Sequence, residues 1–436
     1  MSSVLIENSS WLVTQNQNRD VLRDQSVLIR NGKIEQIGKG VRGPVDFELD
    51  GEGKIVLPGL INTHTHLSMT LFRGYADDLQ LQDWLQKKIW PLEGRLTADA
   101  CYYGALLGSA EMIMSGTTTF MDMYFHIEDV AKAVDRAGLR AFLSYGIIDL
   151  MDSAKAEAER EKSRKLFDYL RSLGNSRIRF ALGPHAPYTC SAETLIWAKE
   201  FAEKNGVIDH IHIAETRKEQ ADSQKQHGAR AVEYLDKIGA LSKNMLAAHC
   251  VWLTKSEVGL LAKAGVSVAH CPVSNMKLAS GGVAPLPEMF DAGIPVGLGT
   301  DGAASNNTLD MFETMKVCAL LHKAHRWDPT VLNAQKVLDL ATIDGARALG
   351  IEHEVGSIEA GKKADIIILS ANQPNMTPIH GKETVVSDLV YSTSSGNVDT
   401  TIVDGNILME NRKLKTVDLQ ETIQAANEIA DKLVHG

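Results

Sequence analysis

Short apolar runs that end in polar residues recur along the middle of the chain. They fall near 60–66, 117–122, 139–145, 178–185, 208–215, 245–250, 266–271 and 294–301. Runs of this length and spacing predict buried strands of a parallel sheet. Between them lie stretches with helical character, at Ala98–Met114, Asp152–Leu173 and Leu195–Lys204. Another opens on Thr254-Lys-Ser-Glu257, a capping box, and closes at Gly265. Eight strand–helix units over about 290 residues predict an α/β fold, a (β/α)8 TIM barrel rather than an open doubly wound sheet. No GxGxxG follows an early strand, which argues against a dinucleotide-binding fold.

The two ends of the chain read as β. Ser26–Ile37 is a pair of apolar runs joined through Asn31-Gly32, and Thr401–Leu408 turns through Asp404-Gly405; both dipeptides are hairpin signals. Ala364–Leu369 has the continuous apolar pattern of a buried strand. The expected organisation is a discontinuous β-sandwich from residues 1–57 and 360–415 and a barrel over 58–359. A C-terminal helix follows over 416–436, amphipathic between Asp418 and Leu433.

Charge narrows the partners. Lys and Arg number 45 against 55 Asp and Glu, a net charge of −10. Such a chain has no general attraction for phosphate backbones or anionic lipid, so neither nucleic acid nor membrane is expected as a partner. No apolar run approaches the ~18 residues needed to cross a bilayer. The N-terminal stretch lacks the basic-then-apolar layout of a signal peptide. Five scattered cysteines do not make a disulfide framework. The expectation is a cytoplasmic enzyme that acts on a small molecule, assembled as a homo-oligomer.

The polar residues at the strand ends carry the chemistry. The first strand ends Asn62-Thr-His64-Thr-His66, and residues i and i+2 of a strand share a face. Two imidazoles on one face of a rigid strand make half of a divalent metal site. The fifth strand adds His210-Ile-His212-Ile-Ala-Glu215 and the eighth adds Gly299-Thr-Asp301. Strand ends of a barrel converge on one mouth, so His64, His66, His212 and Asp301 form a candidate ligand set that leaves a position open for water. His210 competes with His212 for that role; His212 is preferred because Glu215 lies just beyond it. His185 in Gly183-Pro-His185-Ala-Pro-Tyr188 and His249 in Ala248-His249-Cys250 fall at the same rim. His270 is read as structural, and neither Cys250 nor Cys271 has the partner that thiolate ligation requires.

Pro58–His66, His212–Glu215, His249 and Gly299–Asp301 together resemble the amidohydrolase superfamily, as do Ser115–Asp122 and Val355–Asp365. Within it, Leu71–Asp78, Trp90–Glu93, Gly183–Tyr188 and His270–Gly281 are similar to the 5′-methylthioadenosine/S-adenosylhomocysteine deaminases. The resemblance implies a barrel flanked by the β-sandwich and one divalent metal, Zn2+ or Fe2+. No lysine ends the fourth strand, where binuclear members carry a bridging one. It implies hydrolytic loss of the 6-amino group of a 5′-substituted adenosine as water adds to C6. Glu215 would relay protons, with His249 and Asp301 orienting the water. Glu93 and His185 are placed on the substrate side, Glu93 as acceptor for the ribose diol. Leu71–Pro91, with Trp84 and Trp90, is long enough to fold over the mouth. Some members use an arginine after the third strand as a substrate contact, but none precedes Arg160 here. Two other readings compete: a deaminase or hydrolase of guanine, an aminopyrimidine or an s-triazine, and a non-catalytic assembly protein.

Overall fold

The computed structural model describes residues 3–436. Eight parallel strands follow one another around the central sheet in chain order. They are Leu60–Thr65, Thr117–Tyr124, Arg140–Ile147, Ile178–Pro184, Ile208–Ile213, Met245–His249, Ser267–His270 and Val296–Leu298. The eighth is shorter than its apolar run because the chain leaves the ladder at Gly299. Side chains and backbone still close the sheet across that seam. Thr63 Oγ1 donates to the Leu298 carbonyl at 2.9 Å, and the Asp301 N–H donates to the His64 carbonyl at 3.0 Å. The approach is close: a Cβ on Gly297 would lie 2.3 Å from the Thr63 methyl carbon, and one on Gly299 would lie 2.9 Å from the His64 Cβ. Glycine at both positions is what lets the last strand reach the first.

The helices follow the apolar periodicity. Ala98–Met114, Ser153–Ser172, Ala192–Asn205 and Lys255–Ala264 each stand between the expected strands. The Thr254–Glu257 box caps the last of these in both directions. Leu419–His435 packs on Ala98–Met114.

The termini build two further sheets. One has four strands, in the order Lys33–Gly38, Gln25–Arg30, Val4–Ser9 and Phe47–Asp50. The other has seven, and at its centre Lys54–Pro58 runs parallel to Trp11–Val13 and antiparallel to Ile366–Ser370. Val4, Ile6, Val27 and Ile29 of the first pack against Leu12, Val56, Ile366 and Ile402 of the second. Lys54–Pro58 passes through Gly59 straight into the first barrel strand. The stretch 360–415, expected to be β, contains a helix at Lys382–Tyr391. Its buried Val385, Val386, Leu389 and Val390 have helical spacing, and it packs on the helix Ala334–Leu340. All five cysteines are free and buried. No helix among the described residues is long and apolar enough to cross a membrane.

Candidate active site

Four donor atoms meet at the mouth. His64 Nε2 and His66 Nε2 lie 3.4 and 3.3 Å from Asp301 Oδ1, and His212 Nε2 lies 3.4 Å from His66 Nε2. Ligands held 2.0–2.1 Å from a tetrahedral divalent ion sit roughly 3.3–3.4 Å apart, so these separations are those of a ligand shell. The other ring nitrogens turn the lone pairs inward. His66 Nδ1 donates to the Met123 carbonyl at 2.6 Å and His212 Nδ1 to the His185 carbonyl at 2.7 Å. Each contact fixes the tautomer that leaves Nε2 unprotonated and facing its neighbours. His64 Nδ1 pairs with His210 Nε2 at 2.8 Å, and His64 Nε2 is buried with no hydrogen-bond partner. His210 thus stands behind His64 rather than beside it. Asp301 is held by the Ser274 hydroxyl at 2.7 Å and by the Gly302 N–H at 2.8 Å. An orphaned buried nitrogen within a three-imidazole, one-carboxylate set fits a single divalent cation.

The electrostatics agree. Burial works against the Asp301 carboxylate, yet the imidazoles of His64 and His66 beside it hold it well below the usual range. Burial pushes His64 down to about 4 and His212 well below the ordinary imidazole value. Both are therefore neutral with free lone pairs at pH 7. On His66 burial is outweighed by Asp301, which lifts it to about 9. The site favours one positive charge beside Asp301.

Strained backbone aims the remaining groups. Ala214, His249, Cys250 and Asp301, all at strand ends, have φ of +56°, +74°, +50° and +63°. Left-handed conformations in such residues are costly and are retained where they place a side chain. Glu215 follows Ala214 and is buried, which pushes its carboxyl up. Glu219, also buried, accepts the N–H groups of Ala214 and Glu215, each at 2.8 Å, and so fixes the turn. Sequence reasoning missed Glu219, although Thr216-Arg-Lys-Glu219 is legible as a helix start. The Asn275 amide donates to His249 Nδ1 at 3.1 Å, which leaves the proton on His249 Nε2.

One cavity takes in His66, Glu93, His185, His212, Glu215, His249 and Asp301. His185 pairs with the Thr189 hydroxyl at 2.9 Å, and burial pushes it down to about 3. Glu93 ends the helical turn Trp90–Glu93, where burial pushes its carboxyl up. Trp84 and Trp90 line the same cavity, so the Leu71–Pro91 segment does reach the mouth. Tyr124, absent from the sequence-based set, adds a buried hydroxyl with no hydrogen-bond partner. Neither His210 nor His270 lines the cavity. His270 pairs instead with His322 at 3.2 Å.

Residues 55–408 match the model of the amidohydrolase family. A 5′-deoxyadenosine deaminase of Methanobrevibacter smithii is 49% identical over 409 residues, covering 94% of this chain and 93% of that protein. A 5-methylthioadenosine/S-adenosylhomocysteine deaminase of Thermococcus sibiricus is 46% identical over 407 residues, covering 93% and 94%. The crystal structure of an adenosine deaminase from Xanthomonas campestris, with bound zinc, superposes with a TM-score of 0.93 at 34% identity, covering 99% of each chain. A family model spanning most of the chain, close relatives along its full length and the shared fold agree: this chain belongs to the amidohydrolase family.

Proposed function

We propose that this protein is a metal-dependent hydrolytic deaminase of adenosine nucleosides modified at the 5′ carbon, such as 5′-methylthioadenosine, S-adenosylhomocysteine and 5′-deoxyadenosine. The products are the inosine analogue and ammonia. The observation that carries this reading is the cavity that brings His66, His212 and Asp301 of the donor set together with Glu215 and Glu93. The relatives at 46–49% identity act on nucleosides of this class by name, which supports it.

His64, His66, His212 and Asp301 would hold one divalent ion, Zn2+ first by donor type and Fe2+ second. Such an ion makes a strongly nucleophilic water available near pH 7. Glu215 takes a proton from that water and delivers it to N1 of the adenine ring, which makes C6 electrophilic. Burial raises its carboxyl above the ordinary value, which makes it a better proton acceptor than a solvated glutamate. His249 presents Nε2–H to the attacking oxygen. Asp301 orients the same oxygen and passes the second proton to the departing amine. The C6–N bond breaks as the C6 carbonyl forms, and ammonia leaves. His185, kept neutral by burial, offers its ring to the substrate. Glu93 accepts the two ribose hydroxyls.

Glu93 separates a nucleoside from a free base or a triazine. Zinc-loaded protein should release ammonia from 5′-methylthioadenosine, with loss of adenine absorbance, far faster than from guanine or an amino-s-triazine. Glu93→Ala removes the charged acceptor, and kcat/KM for the nucleoside should fall roughly 10–200-fold. Turnover of free adenine should hardly change. Guanine turned over faster than any nucleoside, or equal losses on nucleoside and free base, would overturn the substrate assignment.

A further inference from the structure

A second group of metal-ligating side chains lies away from the mouth. His270 closes the seventh barrel strand. Cys318 and His322 stand four residues apart on the helix Met311–Arg326, a spacing that puts both on one face. All three are buried, and their donor atoms lie within 4.8 Å of one another. None of them lines the catalytic cavity.

His270 Nε2 and His322 Nε2 face each other at 3.2 Å. Nothing else holds either ring: His270 Nδ1 and His322 Nδ1 are both buried with no hydrogen-bond partner. No contact therefore fixes the tautomers, and with their protons on Nδ1 both rings turn a lone pair into the gap. Burial favours neutral rings, pushing His322 down to about 4 and His270 well below the ordinary imidazole value. The gap is close to the roughly 3.3–3.4 Å between two imidazole nitrogens that share one ion.

The donor set also selects the ion. Two neutral imidazoles and one thiolate carry a single negative charge. A divalent ion would leave a positive charge in a dry interior, and Glu288, the carboxylate that acts on His322, is already paired with Arg326 at 2.6 Å. A monovalent ion leaves no net charge. Among the described residues no fourth His, Cys, Asp or Glu joins the group, so it falls short of the tetrahedral shell of structural zinc. A thiolate beside imidazoles suits soft Cu+.

We infer that His270, Cys318 and His322 form a buried site for one cuprous ion, separate from the catalytic metal. On binding, the Cys318 S–H bond breaks, the proton goes to solvent and the thiolate electron pair goes to copper. Nothing is oxidised or reduced, because the ion enters as Cu+. The ion ties the helix Met311–Arg326 to the seventh strand and should raise the thermal midpoint of the protein.

The test uses protein from cells supplied with zinc and copper, so that the ion enters as the chain folds, purified without air under ascorbate. Metal analysis should find about one copper per chain, and absorption at the copper edge should show a sulfur and two imidazole nitrogens around it. Cys318→Ser should lower bound copper at least about tenfold, with zinc content and ammonia release from 5′-methylthioadenosine unchanged. His322→Gln, a second variant, should do the same. His212→Ala should lose the catalytic metal and keep the copper. Copper lost in His212→Ala would place it at the mouth and overturn the assignment. Copper kept in both Cys318→Ser and His322→Gln, or zinc found on Cys318 in its place, would also overturn it. A chain that takes up no copper would leave His270 and His322 as a hydrogen-bonded pair and end the proposal.

Discussion

The two ends of the barrel bury polar groups in opposite ways. At the lower end Arg140, only 1% exposed, begins the third strand and donates to Asp365 through Nε at 2.8 Å and Nη2 at 3.0 Å. Asp365 also accepts the Asp404 N–H at 2.8 Å, and Lys363 pairs with Asp404 at 2.9 Å. This cluster ties the barrel to the strands after Ala364 with each charge facing its opposite. At the mouth, His64 Nε2 has no partner, ring nitrogens of His66 and His212 face one another, and the backbone is left-handed at Ala214, His249 and Asp301. Matched burial makes a joint, whereas unmatched burial makes a site that an ion and a substrate complete.

Substitution should separate the two ends cleanly. Glu215→Gln should cost ~10²–10⁴ in rate, since an amide cannot relay a proton, while metal content and thermal midpoint stay near wild type. Loss of metal in this variant would make Glu215 a ligand instead. Arg140→Met should do the reverse. It leaves Asp365 buried without its cation and should destabilise the fold by about 3–5 kcal/mol in denaturant titration, with kcat of the folded protein unchanged. A kcat loss without a stability loss would put Arg140 in communication with the mouth.

A smaller effect sharpens the comparison through pH. Burial raises Glu219 from 4.5 to about 7, and burial raises Asp122 and Asp209 to about 7 as well. Between the unfolded value and about 7 the folded chain keeps protons that the unfolded chain has released. Raising the pH through that window therefore draws the equilibrium toward unfolding, and the window closes above about 7. The thermal midpoint should fall from pH 5 to pH 7.5, and fall less in Glu219→Gln, whose amide does not titrate. Other titrating groups act alike in both proteins, so equal slopes would show that Glu219 is not held protonated by burial.

Much of the mouth could be read from the chain because its groups lie in local strand patterns. His64 and His66 share a face by alternation, and His212, His249 and Asp301 each close an apolar run. All eight barrel strands were visible for the same reason. What stayed hidden depends on distant segments meeting. The role of His210 is set by its contact with His64 across the barrel, and Tyr124 sits in an apolar strand with nothing to mark its hydroxyl. Asn275 and Ser274 become supports of His249 and Asp301 only when the short helix Pro272–Lys277 after the seventh strand packs beside them. The helix Lys382–Tyr391 was passed over because its ten residues fall between strands, and its valines suit either element.

The central claim is that the unmatched donors at the mouth hold one catalytic metal. The direct measurement is ammonia release from 5′-methylthioadenosine by chelator-stripped protein as zinc is added back, with bound metal measured in parallel. The account predicts activity that rises in proportion to bound metal and stops at one equivalent per chain, and no recovery in His212→Ala, which loses a ligand. Full activity in stripped protein, or equal recovery in His212→Ala, would contradict it.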